Sequence, residues 1–217
     1  MNIGVLGTGI VGKTLAGKLI QLGHHVMMGS RSATGAAVAE WAEAAGDSAS
    51  AGTFMDAATF GEVVVNATAG AVALEVLESC GDAALDGKVL VDVSNPLDFS
   101  AGFPPSLSTS SSESLGELIQ AAHPGARVVK SLNTVSAPIM VQPSLVPGHH
   151  SMFVCGNDSA AKAEVVRLLE SLGWPAEDVI DLGDITGSRG LEMYLPLWLR
   201  LFGVVGTPAF NVRVVRA

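Results

Sequence analysis

The sequence predicts an α/β protein with a doubly wound, mostly parallel sheet and helices on both of its faces. Apolar segments of strand length alternate with helical segments along most of the 217 residues. Apolar residues make up 48% of the chain and charged residues only 15%, which is typical of strands covered on both faces. The segment from Asn2 to Ser32 follows the order strand, glycine-rich turn, helix, strand, which opens a Rossmann-type fold.

The glycine-rich turn is the strongest functional signal in the chain. It follows the apolar run Ile3 to Leu6 and precedes a predicted helix that ends near Gly23. The first glycine permits a tight turn, the second lets a pyrophosphate approach the backbone, and the third allows close helix–strand packing. Unpaired N–H groups at the helix start favour phosphates. The alternative is an ordinary strand–helix–strand unit. The predicted cofactor-binding residues are Gly7, Thr8, Gly9, Ile10, Val11 and Gly12.

The end of the second predicted strand indicates which dinucleotide binds. An enzyme that selects NAD places an acidic residue there, whereas this chain has Gly29–Ser32 and no acidic residue before Glu40. Arg31 can donate two hydrogen bonds to a 2′-phosphate, and Ser30 and Ser32 can add hydroxyl donors. We therefore predict NADP(H) rather than NAD(H), with these three residues at the phosphate. A solvated surface arginine is the alternative.

Three later strand ends are predicted to face the same crevice. The predicted strands cover residues 62–67, 89–93 and 127–132, and each is followed by small or polar residues. In a doubly wound sheet the ligand lies outside the carboxyl ends of the strands, where the strand order reverses. Asn95 suits a nicotinamide carboxamide, although an Asn-Pro turn explains it equally well. The predicted cofactor-binding residues here are Ala67, Thr68, Ala69, Asn95 and Asn133.

The remaining segments predict a dinucleotide-binding domain over residues 1–182 and a helical extension over residues 183–217 that packs on it as one structural unit. Ser106–Ser114 is a polar loop, either a mobile connection or a lid.

Residues 191–202 are apolar almost all round but shorter than the ~20 residues of a membrane span. We expect this segment, interrupted at Pro196, to form a homodimer interface and one wall of a second-substrate pocket. Burial within the monomer is the alternative.

Composition excludes several classes of partner. The net charge of −9 argues against nucleic acid and against an anionic membrane. Cys80 and Cys155 suit a reducing cytoplasm and have no metal-ligand spacing, so we expect inert core thiols and no metal. The chain opens directly in a strand, so we expect no signal peptide. All five histidines are expected at the surface, which leaves the catalytic residues unassigned.

Taken together, these motifs resemble the prokaryotic coenzyme F(420)-dependent NADP oxidoreductases over essentially the whole chain. The cytoplasmic NADPH domain of the six-transmembrane metalloreductases is similar. The resemblance implies a homodimer that transfers a hydride between NADP(H) and a deazaflavin, coenzyme F(420), or a flavin such as FMN or FAD. It aligns Ala137 with a backbone donor to the carboxamide. The chain departs from the family's deazaflavin users at Asn133, where they have histidine, and at Ser136, where they have proline.

Two other functions remain open at this point. One is a non-catalytic NADPH-binding redox sensor or partner-docking module that uses the apolar C-terminal segment. The other is an NADPH-dependent reductase of a small carbonyl or imine, which requires a proton donor. A short-chain dehydrogenase is excluded because it needs a lysine four residues after its tyrosine. The sole tyrosine here is Tyr194, and Trp198 occupies that position.

Overall fold

The computed structural model describes residues 1–216, apart from the side chains at positions 36 and 37. Its centre is a sheet of eight strands: β1 (Asn2–Leu6), β2 (His25–Ser30), β3 (Ala49–Thr53), β4 (Val63–Asn66), β5 (Val89–Asp92), β8 (Arg127–Ser131), β9 (Met152–Cys155) and β10 (Val179–Asp181). They lie in the order β10-β9-β8-β5-β4-β1-β2-β3, and the two strands between β5 and β8 in the chain form a separate ribbon. Every neighbouring pair is parallel except β8 and β9, which are antiparallel. The predicted doubly wound, mostly parallel sheet is therefore confirmed.

Helices cover both faces of this sheet, as the composition predicts. They are α1 (Ile10–Gln21), α2 (Ala36–Ala45), α3 (Phe54–Phe60), α4 (Ala73–Cys80), α5 (Asp82–Leu85), α6 (Leu115–Ala122), α7 (Ala137–Val141), α8 (Ser159–Ser171), α9 (Ser188–Met193) and α10 (Leu195–Val205). Successive strand residues point to opposite faces, so Val63 and Val65 join one buried cluster while Val64 joins the other. The first cluster includes residues of α1, α7 and α8, and the second includes residues of α3, α4 and α6.

The segment Ser106–Ser114, which the sequence predicts as a loop, begins in one strand of a short antiparallel ribbon. β6 (Leu97–Asp98) and β7 (Ser106–Leu107) pair antiparallel, so the expectation of an entirely irregular loop from Ser106 to Ser114 is wrong at its start. At its end, the buried Ser114 is the N-cap of α6. Its hydroxyl accepts a hydrogen bond from the backbone N–H of Glu117, whose carboxylate accepts one from the backbone N–H of Ser114.

Two of the five histidines are buried, so the expectation that all lie at the surface is wrong for His123 and His150. Nδ1 of His123 lies 2.9 Å from a carboxylate oxygen of Asp82. Nε2 of His150 lies 3.1 Å from the carbonyl oxygen of Pro143, and its ring packs edge-on against Trp174. Each imidazole is thus held by a contact to another segment of the chain, so both serve packing between elements.

The C-terminal extension is only partly covered by the rest of the chain. Leu191 and Leu195 are buried, whereas Leu197, Val204 and Val205 are exposed. Complete burial within the monomer is therefore excluded for this segment. The helix break falls at Tyr194 rather than at Pro196, because proline is tolerated in the first turn of a helix.

A buried ion cluster joins the sheet to this extension. Lys130, near the end of β8, is 0% exposed, and its Nζ donates to Asp92 (2.7 Å), Glu192 (2.9 Å) and the carbonyl oxygen of Ser94 (2.7 Å). Burial alone disfavours the ammonium, but the two carboxylates outweigh it and raise the pKa of Lys130. The lysine therefore stays charged inside the protein.

Both carboxylates of the cluster have further partners. Asp92 also accepts a hydrogen bond from the side-chain amide of Asn66 at 2.9 Å. Glu192, on α9, accepts the backbone N–H groups of Leu115 and Gly116 at the start of α6. The cluster thus holds the ends of β4, β5 and β8 together and fixes α9 against α6.

Replacing Lys130 should test how much this cluster contributes. Lys130→Met would leave two buried carboxylates without their cation, and we expect a loss of about 3–5 kcal/mol in the free energy of unfolding. The control is Lys162→Met, because Lys162 pairs at 2.8 Å with the exposed Asp181, and such pairs contribute less than about 1 kcal/mol. Urea denaturation of both variants measures the difference. Similar losses in the two variants would contradict the role given to the buried cluster.

Candidate functional site

The turn after β1 has the geometry that its glycines predict. Gly7 has φ +116°, a conformation that side chains rarely adopt, and its N–H bonds the carbonyl oxygen of Gly29 at 3.0 Å. A Cβ atom on Gly12 would collide with the carbonyl oxygen of Gly7, so close packing at this position requires glycine. A Cβ atom on Gly9 would meet no other atom within 4 Å, so there is room for a ligand beside the backbone at this residue. The first turn of α1 contains no acidic residue to offset its positive end.

Three overlapping cavities follow the carboxyl edge of the sheet. The Arg31 cavity, about 290 Å³, is lined by Thr8, Ser30, Arg31, Ser32, Gly35, Val38 and Phe54. The central cavity, about 740 Å³, is lined by Gly7, Thr8, Gly9, Arg31, Phe54, Ala67, Thr68, Ala69, Val72, Glu75, Val76 and Ser79. The Asn95 cavity, about 290 Å³, is lined by Val11, Ala67, Thr68, Ala69, Gly70, Ala71, Val93, Ser94, Asn95, Leu97 and Phe99. Because neighbouring cavities share residues, they form one continuous trough.

The Arg31 end of the trough is polar and open. Arg31 is exposed, and within residues 1–216 it forms no ion pair. The hydroxyl of Ser30 donates to the carbonyl oxygen of Ser32 at 2.6 Å, which fixes the turn that presents the arginine. This end can therefore bind a doubly charged anion without first breaking a salt bridge.

The floor of the Asn95 cavity is held rigidly. A Cβ atom on Gly70 would collide with the carbonyl oxygen of Asn95, so the two loops that form the floor touch through their backbones. The hydroxyl of Thr68 donates to Asn66 at 2.7 Å, and Asn66 in turn donates to Asp92 of the buried ion cluster. The cluster therefore positions the floor of the trough.

Asn95 and Asn133 form a reciprocal pair. The side-chain amide of Asn95 donates to the backbone oxygen of Asn133 at 3.0 Å, and the amide of Asn133 donates to the side-chain oxygen of Asn95 at 2.9 Å. Asn133 also donates to the carbonyl oxygen of Leu191 at 3.2 Å and is buried. Asn133 orients the side chain of Asn95 and is not among the residues that line the three cavities. Its predicted contact with a cofactor stays a prediction.

The structure brings most of the predicted site residues into the trough, but not all of them. Gly12 packs against the carbonyl oxygen of Gly7, and Ile10 begins α1 with its side chain largely exposed. Neither residue is among those that line the three cavities. Ala137 is buried in the first turn of α7, where its N–H has no acceptor within the helix. The predicted contacts of these residues with a cofactor stay predictions.

Sequence reasoning missed two aromatic lining residues, Phe54 and Phe99. Both follow a strand closely, Phe54 after β3 and Phe99 after β6, and that placement was the available signal. It also missed Lys130, although a charged residue within an apolar strand was a visible irregularity.

The structure offers neither a reactive thiol nor a metal site among the described residues. Burial raises the pKa of Cys80 to about 11 and that of Cys155 to about 12, so both thiols stay protonated, as predicted. Among the described residues, no group of three or more His, Cys, Asp or Glu side chains could hold a metal ion. No helix within residues 1–216 has the length and apolar character needed to cross a membrane.

A doubly wound sheet whose first glycine turn opens a trough along its carboxyl edge defines a dinucleotide-binding α/β protein. The family model described as NADP oxidoreductase, coenzyme F(420)-dependent, matches residues 2–96. A crystal structure from Arthrobacter sp. FB24, provisionally described as an F(420)-dependent NADP reductase, is 50% identical with a TM-score of 0.94, and the match covers 100% of both chains. The chain therefore belongs to the family of coenzyme F(420)-dependent NADP oxidoreductases.

More distant relatives extend this comparison. The metalloreductase STEAP2 of Homo sapiens is 30% identical over 205 residues, which are 93% of this chain and 36% of that protein. The chain spans less than two fifths of the length of the curated relatives it matches. An imine reductase from Streptomyces aurantiacus is 20% identical with a TM-score of 0.65, over 95% of this chain and 64% of that one. That last likeness shows the fold alone.

Proposed function

We propose that this protein transfers a hydride between NADP(H) and a flavin-type acceptor, either the deazaflavin coenzyme F(420) or a flavin such as FMN or FAD. The observation that carries the proposal is the continuous trough from Arg31 to Asn95 in a chain of this family. The trough passes the open position beside Gly9 and the unneutralised start of α1, where phosphates are stabilised.

In this proposal each part of the trough binds one part of the dinucleotide. Arg31 and the hydroxyl of Ser32 bind the 2′-phosphate, and Ser30 fixes the turn that presents them, because its hydroxyl donates to the carbonyl oxygen of Ser32. The backbone from Gly7 to Gly9 faces the pyrophosphate. The nicotinamide half lies in the Asn95 cavity, whose mainly aliphatic walls exclude water from the reacting ring.

Hydride transfer between two rings requires little acid–base catalysis from the protein. NADPH gives a hydride, two electrons and one proton, to the acceptor ring, and the acceptor takes a second proton from water, which leaves NADP⁺ and reduced acceptor. The protein residues orient the two rings and keep the site dry. That role agrees with a cavity lined by backbone, small side chains and the fixed amide of Asn95.

The acceptor test decides between this function and its rivals. Purified protein is mixed with NADPH and, in turn, with oxidised F(420), FMN, FAD or a cyclic imine, without oxygen, and the absorbance of NADPH is followed. We expect steady turnover with at least one flavin-type acceptor and none when the acceptor is omitted. Tight NADPH binding without turnover would instead indicate a sensor. Turnover with the imine alone would indicate an imine reductase.

Arg31 should determine the preference for NADP(H). Charge-assisted hydrogen bonds contribute about 1.5–3 kcal/mol, so Arg31→Ala should weaken NADPH binding about ten- to hundredfold and leave NADH binding unchanged. Calorimetry with both nucleotides measures this. Arg167→Ala, which removes an exposed arginine on α8, is the control and should change neither affinity. Equal binding of both nucleotides by the unchanged protein would contradict the assignment.

The proposal includes a homodimer that covers the exposed face of α10. Leu197, Val204 and Val205 share this face at helical spacing, and Leu197 is 54% exposed. Such a stripe on a surface helix is usually covered by a second protein surface. A second copy of this chain supplies a self-complementary face through two-fold symmetry.

Sedimentation measurements test the dimer. We expect the unchanged protein to be dimeric and Leu197→Glu to be monomeric, because the charge would be buried unpaired. Leu145→Glu is the matched control, since Leu145 is 47% exposed outside α10. Dissociation by both variants, or a monomeric unchanged protein, would contradict this interface.

A cytoplasmic setting completes the proposal. Cys80 and Cys155 are free, buried thiols, which a reducing compartment preserves. The net charge of −9 disfavours nucleic acids and anionic membranes as partners, so a small redox molecule is the proposed substrate.

A further inference from the structure

The ribbon of β6 and β7 presents two aromatic rings to solvent beside the trough. Leu97 pairs with Leu107, and the backbone N–H of Ser108 donates to the carbonyl oxygen of Pro96 at 2.8 Å, which fixes the base of the ribbon. Its connecting segment, residues 99–105, carries Phe99 and Phe103, which are 59% and 71% exposed. Large apolar side chains grouped on a surface commonly mark a contact site.

The two rings are not equivalent. Phe99 lines the Asn95 cavity together with Leu97 and Ser94, whereas Phe103 lies further along the segment and does not line it. Ser94 is buried, so it forms the deep end of the cavity, and the more exposed Phe99 forms its rim. Backbone contact between Gly70 and Asn95 fixes the floor of the same cavity.

We propose that Phe99 selects the hydride acceptor by stacking against a planar, fused-ring aromatic molecule at this rim. The inference rests on the proposed function, in which the nicotinamide lies deeper in the same cavity. A flavin-type ring gains offset stacking on Phe99, whereas a small aliphatic carbonyl or imine has no aromatic face to offer. The wall formed by Val11, Ala69 and Val93 is apolar and carries no negative charge, so it offers no attraction to a small cationic substrate.

Kinetics of matched variants test this role. Phe99→Ala should raise the KM for FMN or F(420) about three- to tenfold, the size expected for one aromatic stack, with the KM for NADPH unchanged. Phe99→Tyr should restore acceptor binding, because it keeps the ring. Phe103→Ala is the control and should match the unchanged protein. Titration of FMN fluorescence against protein saturated with NADP⁺ gives the same comparison without turnover.

The outcomes separate this inference from the proposed function. If the unchanged protein reduces a planar acceptor and Phe99→Ala has the same acceptor KM as Phe103→Ala, the inference is overturned while the function stands. If the unchanged protein reduces no acceptor, the function fails, and the FMN titration decides the inference alone. Equal FMN affinity of the unchanged protein and Phe99→Ala would overturn it. Loss of the dimer in Phe99→Ala would also overturn it, because the ring would then be a subunit contact.

Discussion

One buried ammonium, that of Lys130, ties the middle of the sheet to the last helices of the chain. An ion without solvent costs several kcal/mol, so Lys130 is tolerable only with Asp92 and Glu192 in place. That requirement forces α9 against the carboxyl end of β8. Through Asp92 and Asn66 the same constraint reaches the loop that begins at Thr68. The shape of the trough and the docking of the extension therefore share one electrostatic cause.

The trough is suited to an anion although the protein as a whole carries a net charge of −9. Local geometry explains the difference. No acidic residue precedes Glu40, so the glycine turn, the start of α1 and Arg31 lie in a segment without carboxylates of its own. Parallel strands bring the small residues that follow β4 and β5 to the same edge. The acidic residues all come later in the chain, and Glu75 is the one acidic residue among those that line the three cavities of the trough.

The sequence predicted the sheet and the glycine turn because both follow local rules of periodicity and backbone freedom. The ribbon of β6 and β7 was missed because strands of two residues leave no alternating pattern. The Lys130 cluster was missed because its carboxylates come from distant segments, and Glu192 lies in an otherwise apolar run. His123 was misplaced for a similar reason, since Asp82, which its imidazole contacts, is far away in sequence and no local pattern connects the two. Long-range polar partners thus limit what sequence can predict.

A crystal structure of the protein with NADP⁺ bound tests the central claim most directly. We expect the 2′-phosphate at Arg31, the pyrophosphate beside Gly9 and the nicotinamide against Asn95. A separate cavity of about 310 Å³ at the amino edge of the sheet, which includes His24 and Leu168 in its lining, offers the clearest contrast. Nucleotide bound there, or with its pyrophosphate directed away from Gly9, would contradict the assignment of the trough.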